Sequence, residues 1–314
     1  MSTVLHVLVV GILLGGIYGL VSIGLNLIFG VIRVVNFAHG ELVMLGMYGA
    51  FLAYSLLGID PYLSVVLVVP ALFLFGLIVQ RLIIEPLQSE SMMQMFATFA
   101  LLTILQNVVL VITRGEGHNV PTKIASLGLE LGEIRIPATR FIILIAVTAI
   151  AVLLHLFLHR TLIGKSIRAV TQDRQAARLV GINVERTFMV TFGIGAALAG
   201  LAGALIAPIY TLSPGIGGNF ILAAFAVVVL GGLGSVAGAY FGGMIVGIVE
   251  AFAGYYIDPE LKQAIWFLIF LAVLVVRRPD RTIRSAPRKS ASGSSHEQRR
   301  RGAWRYLCGE HSFT

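Results

Sequence analysis

Apolar residues run in blocks along this chain, at about 5–29, 37–57, 62–84, 96–113, 141–158, 189–212, 219–254 and 261–276, separated by short polar stretches. Such blocks suit helices that cross a hydrocarbon core, which takes roughly 20 residues. One block is too long to cross once. As a single helix, residues 219–254 would extend about 54 Å against a core of about 30 Å. The segment is therefore expected to break, and Gly231-Gly232-Leu233-Gly234-Ser235 offers the weakest helical stretch in it. The pattern predicts an all-α polytopic transmembrane helical bundle of about eight to nine spans, with broken or re-entrant segments.

Composition and charge sharpen this picture. Only 12% of the residues are charged and 57% are hydrophobic, where a soluble domain carries about 25% charged residues. Of the 23 Lys and Arg, ten follow Val276 and six lie between Arg160 and Arg186. Basic loops of this kind stay on the cytoplasmic side, so the net charge of +8 does not point to nucleic acid. Nine crossings put both basic regions inside, the 114–140 segment outside and the N-terminus outside; eight crossings would reverse that terminus. The first block has neither a preceding basic residue nor a cleavage-site pattern, which suits a retained span rather than a signal peptide. Residues 1–278 are expected to form one transmembrane domain. Residues 279–314, rich in Arg, Ser, Pro and Gly, are expected to form a basic, disordered cytoplasmic tail whose partner, if any, is anionic lipid.

Candidate chemistry mostly fails on inspection. Gly164-Lys165-Ser166 resembles the end of a phosphate-binding loop, but His159 stands where that loop needs glycine. His155 and His159 have the spacing of a helical zinc pair, yet Leu156 replaces the required Glu. The lone cysteine, Cys308, leaves no Cys cluster and no internal disulfide. No catalytic group, metal or cofactor is expected.

Three features remain. Asn36, His39, Gly40 and Glu41 form a polar insertion between two apolar helices; polar groups at membrane depth usually face a bundle interior or a watery pathway. The break at Gly231, Gly232, Gly234 and Ser235, preceded by Pro214-Gly215-Ile216-Gly217-Gly218-Asn219, is a second pathway candidate, because broken helices expose backbone donors and acceptors. Third, Asp173-Arg174-Gln175-Ala176-Ala177-Arg178-Leu179-Val180-Gly181 can form a short helix on the cytoplasmic side, with Arg174 and Arg178 on one face and Gly181 as its stop. Glycines at 11, 15 and 19, and again at 234, 238 and 242, stack on helix faces and suit close helix packing in lipid.

These stretches resemble a known family. Gly24-Leu25-Asn26-Leu27-Ile28-Phe29-Gly30 leading to Asn36-Phe37-Ala38-His39-Gly40-Glu41, then Arg168-Ala169 through Asp173–Ala177 to Gly181-Ile182, and Val227–Gly238 are similar to the inner-membrane permeases of high-affinity branched-chain amino acid ABC importers. The resemblance implies a second, paralogous permease subunit, two cytoplasmic ATP-binding subunits and an extracytoplasmic substrate-binding protein. It implies that Asp173, Arg174, Ala176, Ala177, Arg178 and Gly181 belong to the segment that docks on the ATPase. Gln175 stands where the general importer pattern has Glu, and the basic tail extends beyond the usual family end. Two alternatives stay open: an ion-coupled secondary transporter using His39 and Glu41, and a related permease for an amide or urea.

Overall fold

The computed structural model describes residues 2–88, 90–122, 124, 128–131, 134–257 and 262–276. In chain order these form α1 (Ser2–Ile32), α2 (His39–Leu57), α3 (Val65–Val79), α4 (Ser91–Thr113), β1 (Gly128–Leu131), β2 (Ile134–Pro137), α5 (Ala138–Arg160), α6 (Leu162–Gln172), α7 (Arg174–Leu179), α8 (Val184–Ile206), α9 (Ile216–Gly231), α10 (Val236–Tyr256) and α11 (Lys262–Val276). α3 runs on through a π-turn at Gln80–Ile84 and a 3₁₀ turn at Glu85–Leu87. The tail expected at 279–314 lies outside the described residues.

Among the described residues seven helices are long and apolar enough to cross a membrane; α9 and α11 are shorter, at 16 and 15 residues. The chain is a multi-pass helical membrane protein. β1 and β2 add a small antiparallel hairpin in the connection before α5. The 219–254 segment breaks where its length demanded: α9 ends at Gly231 and α10 starts at Val236. Ser235 begins α10 as its N-cap, accepting the Gly238 N–H at 3.0 Å, which satisfies one of the orphan donors of a helix start.

α1 and α10 are the most intimately packed pair. A methyl group added at Gly15 would lie 2.6 Å from Met244 Cα, and one added at Gly247 would lie 2.2 Å from the Gly15 nitrogen. The stripe Gly11–Gly15–Gly19 does its expected work, but its counterpart is Gly243 and Gly247. Gly238 and Gly242 face α9 at Gly231 instead, and Gly234 meets Gly30. The reason is geometric: α10 is gripped by two neighbours, so its glycines divide between two faces.

α8 is the central element on the other side, buried over 72% of its apolar window against 17% for α4 and 22% for α5. Gly200 and Gly203 of α8 pack directly against Gly46 and Val43 of α2. α4 and α5 present Phe96, Phe99, Ile112, Leu153 and similar side chains outward, as lipid-facing helices do. Arg33, Arg81, Arg160 and the basic residues of α6 and α7 all lie at the end where α1, α3 and α5 finish and α8 begins. The positive-inside rule makes this the cytoplasmic end.

Candidate functional site: an interior break, an outer cavity and a cytoplasmic tie

α1 is longer than a bilayer core requires, and the chain beyond it turns back. Residues 33–36 are non-helical and 37–38 form a turn; Thr98 of α4 receives the Phe37 N–H and donates to the Val35 carbonyl, both at 3.3 Å. α2 therefore starts inside the bundle. Its first residue, His39, places Nε2 3.0 Å from the Val21 carbonyl, eleven residues or about 16 Å of helix before α1 ends. A carbonyl only accepts, so Nε2 carries the proton.

The start of α2 meets the start of α9 here. A methyl group at Gly40 would lie 2.2 Å from the Gly217 carbonyl oxygen, and one at Gly217 would lie 2.8 Å from the Glu41 carboxyl carbon and both its oxygens. Two helix N-termini, each with a partial positive charge, thus converge on one buried carboxyl. Asn36, His39 and Glu41 are all at most 2% exposed. Asn36 Oδ1 accepts the Ala38 N–H at 3.1 Å. Among the described residues Asn36 Nδ2, His39 Nδ1 and Glu41 Oε2 have no hydrogen-bond partner. Polar groups at membrane depth usually face a bundle interior or a watery pathway.

The Gly231–Ser235 turn does not join this cluster. It is held by Asn26 of α1, whose Nδ2 donates to the carbonyls of Gly232 (3.2 Å) and Ser235 (2.7 Å), while its Oδ1 accepts the Gly234 N–H at 2.6 Å. The element that actually opposes the His39–Glu41 break is the start of α9, at Gly217 and Ile221.

Above that stretch, toward the end away from the basic loops, lies a cavity of about 850 Å³. Tyr18, Arg140, Tyr210, Asn219 and Glu250, with His6, Thr211, Ser213 and Tyr255, supply its polar groups; Val7, Leu14, Ile216 and Phe220 supply apolar wall. Glu250 is only 3% exposed and takes a hydrogen bond from the Tyr18 hydroxyl. The connection carrying Tyr210 is stitched in place by paired backbone hydrogen bonds between His118 and Leu212, at 3.1 and 2.8 Å. Ile216 and Asn219 belong to the Pro214–Asn219 stretch singled out in the sequence; Tyr18, Arg140, Tyr210 and Glu250 were not among the sequence candidates. The signal available was Glu250 itself, an acidic residue in the 219–254 apolar segment.

At the cytoplasmic end, Asp173 caps α7 by accepting the N–H groups of Gln175 (2.8 Å) and Ala176 (3.0 Å). Gly181, at φ +84°, closes it: its N–H reaches the Arg178 carbonyl and the next N–H reaches Ala177, both at 3.0 Å. Left-handed backbone of this kind suits glycine. Ala177 is buried, whereas Leu179 and Val180 are 89% and 75% exposed. Arg174 turns inward, donating to the carbonyls of Val31 (3.1 Å) and Ile32 (2.6 Å) and stacking over the Phe188 ring at 4.9 Å. Burial first, then the charges of Arg33 and Arg178, lowers its pKa. Arg178 pairs with Glu185 at the surface.

A polytopic bundle with an interior helix break, a cavity at one end and an exposed helical knob at the other defines a membrane permease. The chain matches, over residues 7–274, the family described as the branched-chain amino acid transport system permease component, and it belongs to that family. The high-affinity branched-chain amino acid transport system permease protein BraD of Pseudomonas aeruginosa is 32% identical over 87% of this chain and 94% of its own length. LivH of Escherichia coli K12, with the same description, is 31% identical over 85% and 91%. A probable LivH of Methanocaldococcus jannaschii is 31% identical over 81% and 82%.

Proposed function

We propose that this chain is the permease subunit of an ABC importer that carries branched-chain amino acids across the bacterial cytoplasmic membrane. It works beside a paralogous permease subunit, two cytoplasmic ATP-binding subunits and an extracytoplasmic substrate-binding protein, with residues 1–278 as the permease domain and the basic 279–314 tail on the cytoplasmic side. The observation that carries this reading is the tie between Arg174 and the last carbonyls of α1. α7 exposes an apolar tip at Leu179 and Val180 that suits a motor subunit, and the tie hands any displacement of α7 to the longest helix of the bundle. α1 in turn holds α10 through its glycine stripe and the 232–235 turn through Asn26.

ATP binding on the motor subunits drives alternating access by favouring one of two arrangements of these helices; the free energy enters through differential binding to the two states. The His39–Glu41 break, where α2 meets α9 without continuous helix, is the place where the pathway opens and shuts.

Gly181→Arg tests the reading. Nothing lies within 4 Å of a methyl group added there, so the variant should insert and assemble, yet it strains the stop of α7 and places bulk on the docking face. ATP-driven leucine uptake by the assembled, membrane-inserted complex should fall steeply; unchanged uptake contradicts the reading. An ion-coupled transporter is the second reading, favoured by the buried, incompletely bonded His39 and Glu41. Uptake by this chain alone that follows a proton gradient would establish it.

A further inference from the structure

We infer that the outer cavity is a zwitterion site, in which Glu250 receives the ammonium and Arg140 the carboxylate of an amino acid released into the permease. This rests on the importer reading and adds to it a place and a recognition chemistry.

Glu250 is an acidic group set in a spanning helix and nearly closed off by protein. Carrying a carboxylate there is expensive unless the position serves a pathway or a binding event. Tyr18 fixes its orientation by hydrogen bonding. Arg140, in the first turn of α5, lines the same cavity from another side. Tyr210 lines the same cavity and adds a phenol hydroxyl to it.

The cavity thus offers the Glu250 carboxyl, the Arg140 guanidinium with the His6 imidazole, phenol hydroxyls, and apolar wall from Val7, Leu14, Ile216 and Phe220. A zwitterion with an aliphatic side chain meets all three surfaces. A simple carboxylate or amine satisfies one pole and leaves the other desolvated, and an uncharged amide or urea matches neither charge, a penalty sites use to reject analogues. The volume of about 850 Å³ falls in the range of about 300–1,000 Å³ usual for small-ligand sites.

Thiol protection in the assembled importer, reconstituted without the binding protein, tests the site. Thr211 lines the cavity, and Cys308 is the chain's single native cysteine, so Thr211→Cys with Cys308→Ser carries one reporter. A membrane-impermeant thiol reagent added from outside should label it. Leucine at millimolar concentration should slow labelling, while isovalerate and isoamylamine at the same concentration should not. Glu250→Gln and Arg140→Gln should each raise the half-protecting leucine concentration by about tenfold or more.

The labelling rate without ligand reports whether each variant keeps the cavity intact. For a variant that alters this rate, the milder Glu250→Asp or Arg140→Lys takes its place and should shift protection in the same direction. No labelling, no protection by leucine, or protection that survives both charge removals overturns the inference. ATP-driven leucine uptake by the reporter complex with its binding protein is measured in parallel. Uptake without protection removes this site and leaves the importer reading standing, whereas absent uptake strikes the importer reading itself.

Discussion

Asn26 and Gly234, 208 residues apart in the chain, are joined by a hydrogen bond of 2.6 Å in which the glycine N–H donates to the Asn26 amide oxygen. The same amide donates to the carbonyls of Gly232 and Ser235, which also accept the N–H groups of Ser235 and Ala239, so one side chain of α1 holds three backbone groups of the turn. Asn26→Leu removes all three bonds at nearly constant volume. The expected loss is about 2–4 kcal/mol of stability, seen as a lower midpoint when detergent-solubilised protein is heated and its monodisperse fraction is followed by size exclusion.

The α1–α10 contact depends on the absence of side chains. Gly247→Leu would drive a branched side chain into the backbone of Gly15 and should cost about 1–3 kcal/mol or more by overpacking. Gly218→Leu, where a methyl group meets nothing within 4 Å, should cost much less in the same thermal assay. Equal losses from the two would show that α1 and α10 are not in backbone contact.

Glu41 and Gly217 should behave as a coupled pair. Gly217→Ala pushes a methyl group against the Glu41 carboxyl, so its cost should fall by at least about 0.5 kcal/mol in a Glu41→Ala background. A double-mutant cycle on thermal stability measures this; strict additivity would separate the starts of α2 and α9.

Two neighbouring arginines should differ sharply. Arg178–Glu185 is an exposed pair, with side chains 59% and 44% accessible, worth under about 1 kcal/mol. Glu185→Gln should therefore barely move the melting midpoint at neutral pH. Arg174→Gln removes the tie to α1, and the leucine transported per ATP hydrolysed should drop several-fold while membrane insertion persists. A matched drop in ATPase rate with an unchanged ratio would deny the tie its coupling role.

Helix positions, the 231–235 break and the stop of α7 were legible because each follows from local properties: apolar length, glycine content, and a Gly just past a short amphipathic run. The partners of these elements were not. Asn26 looks in the sequence like one polar residue in an apolar span, and only packing reveals that its three bonding groups meet the turn. Gly231–Ser235 and Asn36–Glu41 resemble two halves of one pathway, yet the latter meets Gly217, because α9 begins within the bundle. Glu250, Arg140 and Tyr18 lie on three separate helices, and no spacing along the chain brings them to one cavity.

The most direct measurement is leucine uptake into vesicles holding this chain with its partner subunits, with ATP and the proton gradient varied independently. Uptake that requires ATP and the binding protein, and that persists when the proton gradient is collapsed, is the expected result. Uptake driven by the gradient with the ATP-binding subunits left out would contradict the account.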